Sequence, residues 1–372
     1  MTKNAPELRF KGFTDDWELR KLGEVSDIIA GGDIDSSILK ETGAFPVIAN
    51  AITDDGIVGY YDSKFRVIAP AVTVVGRGVG VGRAQVRYKS FTPVIRLLSV
   101  KAKKHDAKFL ESIINEYKII MESTGVPQLT VPQLKQYRLY LTSLAEETQI
   151  GNFFTCFDNI LALHQRKLDL LKRLKQAYLQ KMFPRNGEKV PEVRFADFDE
   201  KWEQRNLGEI ADRYDNLRVP ITASERVSGE TPYYGANGIQ DYVEGYTHNG
   251  EFILIAEDGA NDLKNYPVNF VNGKIWVNNH AHVLQSKVDE ADNKFLVNAI
   301  NNINIEPFLV GGGRAKLNAN VMMKLEVIIP SKIEQQKIGI FFKQIDNTIT
   351  LHQEKINALK SIKKTFLNKM II

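Results

Sequence analysis

Residues 146–182 read EETQIGNFFTCFDNILALHQRKLDLLKRLKQAYLQKM, and residues 334–370 read EQQKIGIFFKQIDNTITLHQEKINALKSIKKTFLNKM. Aligned without gaps, 17 of the 37 pairs are identical. In both copies apolar residues recur in alternating steps of four and three, which predicts two helices that bury matching seams against each other. The predicted seam consists of Ile150, Phe154, Phe157, Leu161, His164, Leu168 and Leu171 in the first copy, and of Ile338, Phe342, Ile345, Ile349, His352, Ile356 and Leu359 in the second.

A second repeated element begins each half of the chain. Residues 8–27 read LRFKGFTDDWELRKLGEVSD, residues 193–212 read VRFADFDEKWEQRNLGEIAD, and ten of the twenty positions match. The shared aromatic residues, Trp17 and Trp202 among them, form either a docking patch or anchors that fix the segment to a domain core. Large aromatic side chains are mostly buried, which favours anchors.

The segments between these repeated ends differ in sequence and predict short strands bounded by Gly or Pro. Candidate strands are Phe65–Ile68, Val72–Val75, Gln85–Tyr88 and Val94–Leu98 in the first body, and Phe252–Ala256, Val268–Val271, Lys274–Val277 and His282–Leu284 in the second. Shorter helices are predicted at Ala107–Met121 and Lys294–Ile303. We therefore expect an α+β protein with two small mixed α/β domains and an internal repeat.

A proline and glycine break at 183–187 (FPRNG) is the clearest boundary in the chain. The predicted order is a first domain at 1–145, a first helix at 146–184, a second domain at 185–333 with a linker at 185–192, and a second helix at 334–372.

Composition narrows the class of protein. The chain has 372 residues, 43% of them hydrophobic, and contains no apolar run near the roughly 18 residues that span a membrane. The N-terminus has no apolar stretch typical of a secretory signal, and the single Cys156 cannot form an internal disulfide. We expect a soluble protein in the reducing cytoplasm.

The net charge of +4 is unevenly distributed. Residues 1–145 carry 20 basic and 16 acidic side chains, whereas residues 193–333 carry 14 basic and 20 acidic ones. Within the first body, residues 64–108 hold eleven Lys or Arg against Asp106 alone. This basic strip indicates a polyanionic partner, the alternative being a solvated surface balanced by acids elsewhere in the fold.

The candidate nucleic-acid contact in the first body is the stretch GRGVGVGRAQVR at residues 76–87. Glycines let a backbone approach a DNA groove, Arg can pair bidentately with guanine, and Gln can pair with adenine. Glycine at every second position followed by a strand does not match a dinucleotide fingerprint, but a purely structural glycine hairpin stays open. The candidate residues are Arg77, Arg83, Gln85, Arg87 and Lys89.

The second body is rich in polar side chains that could read base edges, although its net negative charge argues against simple phosphate attraction. A glycine run at residues 311–313 precedes two of the basic candidates. Ordinary turn chemistry is the alternative for each residue. The candidates are Asn237, Asn261, Lys264, Asn278, Asn279, His280, Arg314 and Lys316.

Catalytic motifs are missing from the sequence. There is no Pro-Pro pair for an adenine methyltransferase motif, no Pro-Asp pair for a common nuclease motif, and no Gly-Lys-Ser/Thr for a nucleoside triphosphate. His280 and His282 alternate on one predicted strand without a nearby Cys, so metal spacing is not evident either. We predict no catalytic residue and no metal site in this chain.

Several motifs together resemble the DNA specificity subunit of type I restriction-modification systems across essentially the whole chain. They are the duplicated plan, the motif Arg-Phe-x-x-Phe-x-x-x-Trp followed by Leu-Gly-Glu, the run Asn278-Asn279-His280-Ala281, and the helix lead-in IIPSKIEQQKI at 328–338. That lead-in is similar to the family's strand-Pro-(x)3-Glu-Gln-x-x-Ile signature. The first copy departs from it at Thr142 and Glu147, which stand where the signature has proline and glutamine.

The resemblance implies two target-recognition domains that each read one part of a split double-stranded DNA sequence, held apart by an antiparallel helix pair. It implies a non-catalytic role, with chemistry supplied by a methyltransferase subunit, in two copies, that uses S-adenosylmethionine, and by an ATP- and Mg-dependent restriction subunit. A stand-alone DNA-modifying enzyme and a coiled-coil scaffold without DNA contact are the competing hypotheses.

Overall fold

The computed structural model describes residues 4–51, 53–78, 80–117, 127–185, 187–312 and 315–372. Its internal contacts divide the chain into two compact units. Unit 1 comprises Met1–Gln165 and Glu354–Ile372, and unit 2 comprises Arg166–Gln353. Each unit thus contains one body and a portion of both long helices. The domain boundaries expected from sequence, which treat each long helix as a separate segment, stay predictions.

Unit 1 is built from short strands and three short helices that precede the first long helix. The strands are β1 (Glu18–Lys21), β2 (Ser26–Ala30), β3 (Phe45–Ile48), β4 (Ile57–Tyr61), β5 (Ala71–Val75), β6 (Ala84–Arg87), β7 (Thr92–Pro93), β8 (Leu97–Ala102) and β9 (Arg138–Leu141). The helices are α1 (Leu22–Val25), α2 (Ala107–Glu116), α3 (Val131–Lys135) and the first long helix α4 (Leu144–Lys181), with 3-10 turns at Ser36–Ile38 and Thr53–Gly56.

These strands form three sheets in unit 1. An antiparallel sheet has the order β2-β8-β5-β6, a second has the order β4-β3-β7 with β3 and β7 parallel, and β1 pairs with β9. Helix α2 contributes Phe109 and Leu110, both fully buried, to a core that also holds Trp17 and Phe154.

Unit 2 repeats this plan with longer strands. They are β10 (Glu203–Asn206), β11 (Ala211–Arg213), β12 (Ser228–Gly235), β13 (Gly238–Val243), β14 (His248–Ala256), β15 (Val268–Val277), β16 (Ala281–Ser286) and β17 (Glu326–Ile329). The helices are α5 (Leu207–Ile210), α6 (Asn293–Asn301), α7 (Ala319–Met322) and the second long helix α8 (Lys332–Met370), with 3-10 turns at Asp215–Leu217 and Glu306–Phe308. One sheet has the order β11-β16-β14-β15-β12-β13, and β10 pairs with β17.

The predicted α+β class and internal repeat are confirmed, but two predicted strands are wrong. The stretch Phe65–Ile68 forms only an isolated bridge, from Val67 to Phe91. The chain turns across Val94–Leu98, where Arg96 has a positive φ of 74°, and β8 begins at Leu97. In unit 2, the two predicted strands Val268–Val271 and Lys274–Val277 are one strand, β15, whose pairing with β14 continues across Gly273 at φ 95°.

The two long helices run antiparallel to each other within each unit. In unit 1, Phe153 lies edge-on to Phe366 at 5.1 Å between ring centroids, and Asp158 pairs with Lys363 at 2.5 Å. In unit 2 the corresponding ion pair joins Lys175 of the first long helix to Asp346 of the second, at 2.6 Å, so each helix contributes the residue type that the other contributes in unit 1. All fourteen predicted seam residues are buried or partly buried. No described helix is both long enough and apolar enough to cross a membrane.

A buried ion pair joins each N-terminal segment to the start of a long helix. The Arg9 guanidinium donates from Nε and Nη2 to the two carboxylate oxygens of Glu146, each at 2.7 Å, and Arg194 binds Glu334 in the same way. Burial alone would raise the pKa of Glu146, but the hydrogen bonds from Arg9 and Thr142 hold that pKa below its ordinary value. Trp17 and Trp202 are each 1% exposed, so these aromatic residues are anchors and not a docking patch.

The residue after each of these glutamates reaches the turn before the short domain helix. Glu147 accepts hydrogen bonds from the Asp106 backbone N–H at 3.0 Å and makes a 2.8 Å contact with His105 Nδ1. Gln335 accepts from the Asp292 backbone N–H at 3.0 Å. Glu147, which stands where the signature has glutamine, therefore makes the same backbone contact as Gln335 and also contacts His105.

Glycine is required where the long helix crosses the start of the domain helix. A Cβ added at Gly339 would lie 2.7 Å from Asp292 Oδ1 and 2.8 Å from the Phe295 backbone nitrogen. Asp292 caps α6 by accepting from that same N–H. A side chain here would push the two helices apart.

We expect Gly339→Ala to lower the free energy of unfolding by about 1–3 kcal/mol, although alanine favours an isolated helix by about 1 kcal/mol. Denaturant unfolding of the full chain measures the change. Gly312→Ala is the control, because an added Cβ there meets no atom within 4 Å. Equal unfolding midpoints for the Gly339 variant and the unmodified chain would contradict the packing argument.

Candidate nucleic-acid interface

The predicted glycine hairpin of unit 1 joins β5 to β6. The Val75 N–H donates to the Arg83 carbonyl at 2.9 Å, which closes the turn. Gly78, Gly80 and Gly82 have φ values of 86°, 85° and 84°, a region that L side chains rarely adopt. The glycines are therefore needed for the turn itself, and Val79 between them lies outside the described residues.

The candidate side chains on this hairpin divide into two groups. Arg83 and Lys89 are exposed, and Arg77 is partly buried. Lys89, however, follows the far end of β6, away from the glycine turn. Gln85 and Arg87 are partly buried and bind neighbouring residues of their own domain. Gln85 donates to Asp55 Oδ1 at 3.0 Å, and Arg87 donates to the Asp55 carbonyl at 2.9 Å and to Thr73 Oγ1 at 3.1 Å. Burial lowers the pKa of Arg87.

An asparagine that was not predicted from sequence holds the neighbouring loop. Asn50 Oδ1 accepts from the Gly76 N–H at 2.8 Å, and its Nδ2 donates to the Arg77 carbonyl. Residues 76–78 also contact the loop at 127–129 through a bridge between Arg77 and Gln128. We call the surface formed by the loops at 50, 76–78, 80–83, 94–96 and 127–129 the loop edge of unit 1.

Unit 2 has an equivalent loop edge, formed by the loops at 236–237, 257–265, 278–280 and 315–316. Asn237, predicted to contact DNA, occupies the role of Asn50: its Oδ1 accepts from the Asn261 N–H at 2.9 Å and its Nδ2 donates to the Gly259 carbonyl at 2.9 Å. Asp258 and Lys316 form the bridge that Arg77 and Gln128 form in unit 1.

The run at 278–280 also contains both structural and exposed residues. Asn278 is 4% exposed, and its Oδ1 accepts from the His280 N–H at 2.8 Å, so its amide supports the loop from within. Asn279 is exposed. His280 Nδ1 lies 2.6 Å from Asp258 Oδ1.

The remaining candidates of unit 2 lie on the same edge where the structure describes them. The Lys316 ammonium pairs with Glu257 Oε1 at 2.8 Å. Lys264 and Asn261 are exposed in the loop that follows β14. Arg314 lies outside the described residues.

A charged cluster lies beneath this edge. Among the described residues, Asp215, Glu257 and His282 have potential metal-ligand atoms within 4.8 Å of one another. However, Arg218 already binds Glu257 at 2.7 Å, and both His282 nitrogens have partners, Asp215 Oδ2 at 2.6 Å and the Leu317 carbonyl at 2.9 Å. The arrangement is that of an ion-pair network supporting the loops.

Arg96 is an exposed side chain of the loop edge that sequence reasoning did not single out. It lies in the turn between β7 and β8, next to the Gly76 backbone. Val94 in this turn donates to the Ile48 carbonyl at 2.8 Å, as Asn278 donates to the Tyr234 carbonyl at 3.1 Å in unit 2. Arg96 thus occupies the turn that corresponds to Asn279 and His280. The sequence feature that could have identified Arg96 is its position within the basic strip at residues 64–108.

We expect Asn237→Ala to release the loop after β14 at a cost of about 1–3 kcal/mol, because two backbone groups lose their partner. Hydrogen exchange of the Asn261 amide, which donates to Asn237, measures the local opening. Asn261→Ala is the matched control, since the bond uses only the backbone of Asn261. Unchanged exchange in the Asn237 variant would contradict the structural role.

Comparison with known proteins gives a consistent result. The family model described as "Type I restriction modification DNA specificity domain" matches residues 14–173 and again 199–361. A putative type I restriction enzyme specificity subunit from Haemophilus influenzae is 48% identical over 136 residues, which cover 37% of this chain and 35% of that protein. A second relative, a putative type I specificity subunit from Mycoplasma pneumoniae, is matched over 48% of its length at 26% identity.

Matches over nearly the full length are more distant. The type I restriction enzyme MjaVIII specificity subunit from Methanocaldococcus jannaschii is 20% identical, with 99% of this chain and 95% of that protein covered. The crystal structure of a type I restriction-modification system S subunit from M. genitalium shares the fold, with a TM-score of 0.76, 18% identity and 99% of each chain covered. The chain belongs to the type I restriction modification DNA specificity domain family, whose domain it contains twice.

Proposed function

We propose that this chain is the sequence-recognition subunit of a type I restriction-modification complex and reads a split double-stranded DNA target. Each unit reads one half-site through its loop edge. The observation that carries the proposal is the same loop frame built twice with different side chains. Arg77, Gln128 and Arg96 in unit 1 correspond to Asp258, Lys316 and His280 in unit 2. Different side chains on a common frame suit an asymmetric target.

In this proposal the loop edge of unit 1 relies more on ionic contacts with DNA, and that of unit 2 relies more on hydrogen bonds. Unit 1 offers Arg83 and Arg96 as exposed cations of its loop edge, which suits phosphate and guanine contacts. In unit 2 the basic side chains lie next to acids, as in the Lys316–Glu257 pair, so hydrogen bonds from Asn261, Asn279 and His280 carry more of the recognition.

The long helices act as the spacer between the half-sites. Helices of 38 and 39 residues are each about 57 Å long at about 1.5 Å per residue, more than the roughly 34 Å of one DNA turn. Changing their length would change the gap in the target.

Catalysis belongs to partner subunits in this proposal. A methyltransferase subunit, in two copies, brings S-adenosylmethionine, and a restriction subunit brings ATP and Mg, while this chain binds no cofactor and acts in the cytoplasm. Support for contact with a partner subunit comes from a second apolar stripe on α4, outside the seam. Four exposed apolar side chains form this stripe. Ile160 and Leu163 lie in the part of α4 that belongs to unit 1, and Leu170 and Leu174, which are 56% and 45% exposed, lie in the part that belongs to unit 2.

The half-site assignment is tested with the chain assembled with its methyltransferase partner and a library of randomised duplexes. Arg83→Ala is expected to weaken and relax recognition in one half of the target, by roughly ten- to a hundredfold, and Asn279→Ala in the other half. The methylated positions recovered by sequencing give the readout. Lys104→Ala is the control, because this exposed lysine follows the end of β8 opposite the loop edge. If both variants altered the same half-site, the assignment would fail.

The docking stripe is tested by placing the same charge on two faces of one helix. Leu170→Lys is expected to weaken assembly with the methyltransferase subunit by about tenfold or more, because a buried lysine would lose its hydration. Gln176→Lys, on the opposite face of α4 and also exposed, should leave assembly unchanged. Sedimentation or calorimetry of the purified subunits measures both. Equal affinities for the two variants would exclude this stripe as the contact.

A further inference from the structure

The structure assigns a phosphate-binding pocket to unit 2, between the start of β15, helix α6 and the second long helix. The pocket has a volume of about 340 Å³. Three lysines line it, Lys175, Lys294 and Lys343, against the single carboxylate of Asp346. Its other polar walls are asparagine and threonine side chains, Asn269, Asn298, Asn301 and Thr350.

The corresponding pocket of unit 1 shows which group is missing. It lies between β6, α2 and the first long helix and has a volume of about 390 Å³. There the Glu111 carboxylate binds two donors at once: Oε1 accepts from the Val86 backbone N–H at 3.1 Å, and Oε2 accepts from the Lys108 ammonium. Lys108 also pairs with Asp158. An internal carboxylate thus fills the anion position of this pocket.

Unit 2 retains both donors, but no carboxylate stands at the place of Glu111, and Lys294 instead pairs with Glu251 of β14. Lys294 stands where unit 1 has Lys108. The Ser112 hydroxyl donates to the Lys108 carbonyl, and the Asn298 amide donates to the Lys294 carbonyl in the same way. One helical turn after each lysine, Glu111 is replaced by Val297.

The backbone donor is also retained. Val86 and Phe270 hold equivalent places in the ladder, opposite Val72 and Ile253. The Ala256 N–H bonds to the Pro267 carbonyl at 3.0 Å, so by the alternation of an antiparallel ladder the Phe270 N–H points away from β14.

A further lysine concentrates positive charge at this place. Lys343 stands in the repeat where unit 1 has Thr155. The Lys343 and Lys294 ammonium groups lie 5.1 and 5.3 Å from the centroid of the same ring, that of Phe270. Lys294 is partly neutralised by Glu251 at 2.9 Å, and Lys175 by Asp346 at 2.6 Å. The remaining positive charge and the Phe270 N–H fit one tetrahedral oxyanion in place of the Glu111 carboxylate.

The ligand we assign is a phosphate group, because three lysines line the pocket with one carboxylate and the Phe270 N–H is directed away from β14, and a tetrahedral oxyanion can accept from several such donors at once. It is either free or part of a DNA backbone. The lining of the pocket includes Val268 at the start of β15, next to the loop after β14. A free phosphate or a phosphate of a bound DNA backbone could therefore enter it. The inference stands on the pocket itself and does not depend on the proposed function.

Inorganic phosphate is the first probe, with the purified full chain and chloride at equal ionic strength as the reference. Phosphate is expected to bind, as measured by calorimetry, and to raise the melting temperature. Lys343→Thr, which installs the unit 1 residue, should weaken phosphate binding roughly tenfold. Absence of phosphate binding to the unmodified chain would overturn the proposal.

Val297→Glu supplies the internal carboxylate that unit 1 has. It is expected to abolish phosphate binding while the chain keeps or gains thermal stability without phosphate, because the new carboxylate meets Lys294 and the Phe270 N–H. Val297→Gln is the control for size, and it should retain most of the phosphate affinity. A Val297→Glu chain that folds and binds phosphate as tightly as before would overturn the site.

The DNA arm separates the two sources. If the phosphate belongs to DNA, Lys343→Thr lowers the slope of log affinity against log salt by about one for any duplex. If the phosphate is free, that slope is unchanged while calorimetry with inorganic phosphate still shows the loss. A loss of half-site specificity without either effect would instead count against the pocket and leave the recognition proposal in place.

Discussion

The buried pair between an arginine and a glutamate is the contact on which each half of this protein depends. Glu146 and Glu334 are 0% exposed, each at the start of a helix of about forty residues. A buried carboxylate is costly unless a cation and hydrogen bonds satisfy it, and here a bidentate guanidinium does so. Arg9 and Arg194 lie at the start of their repeats, so satisfying the charge brings each N-terminal segment onto its long helix.

That pair also orders the packing around it. The following residue, Glu147 or Gln335, accepts from the backbone before the domain helix, and the nearby glycine lets the two helices touch. The N-terminal segment, the long helix and the domain helix are thereby fixed relative to one another inside each unit. A rigid junction of this kind leaves the loop edge free to vary, because few of its exposed side chains take part in the junction.

The two units show how a duplicated frame acquires different chemistry. The asparagine clamp, the bridge to the following loop and the lysine on the domain helix recur, whereas the exposed residues of the loop edge change. The change also reaches inside the pocket, where Glu111 of unit 1 is Val297 in unit 2. With that carboxylate gone, Lys294 pairs with Glu251 instead, and the place that Glu111 fills in unit 1 is open to a ligand. This is a physical route from a structural ion pair to a ligand site.

The sequence alone determined the repeated helices, their seams, the α+β class and the two-body plan, because helical periodicity and a gapless repeat are local patterns. It predicted β5, β6, β14, β15 and β16, but not the turn at Arg96 or the single strand through Gly273, since both depend on a glycine or a positive φ in context. Only the tertiary structure separated Asn237 and Asn278, whose amides support the loops, from exposed Asn279 and Arg83. Whether a polar side chain serves its own loop or faces outward depends on partners distant in the chain, such as Gly259 for Asn237, and no local pattern records them.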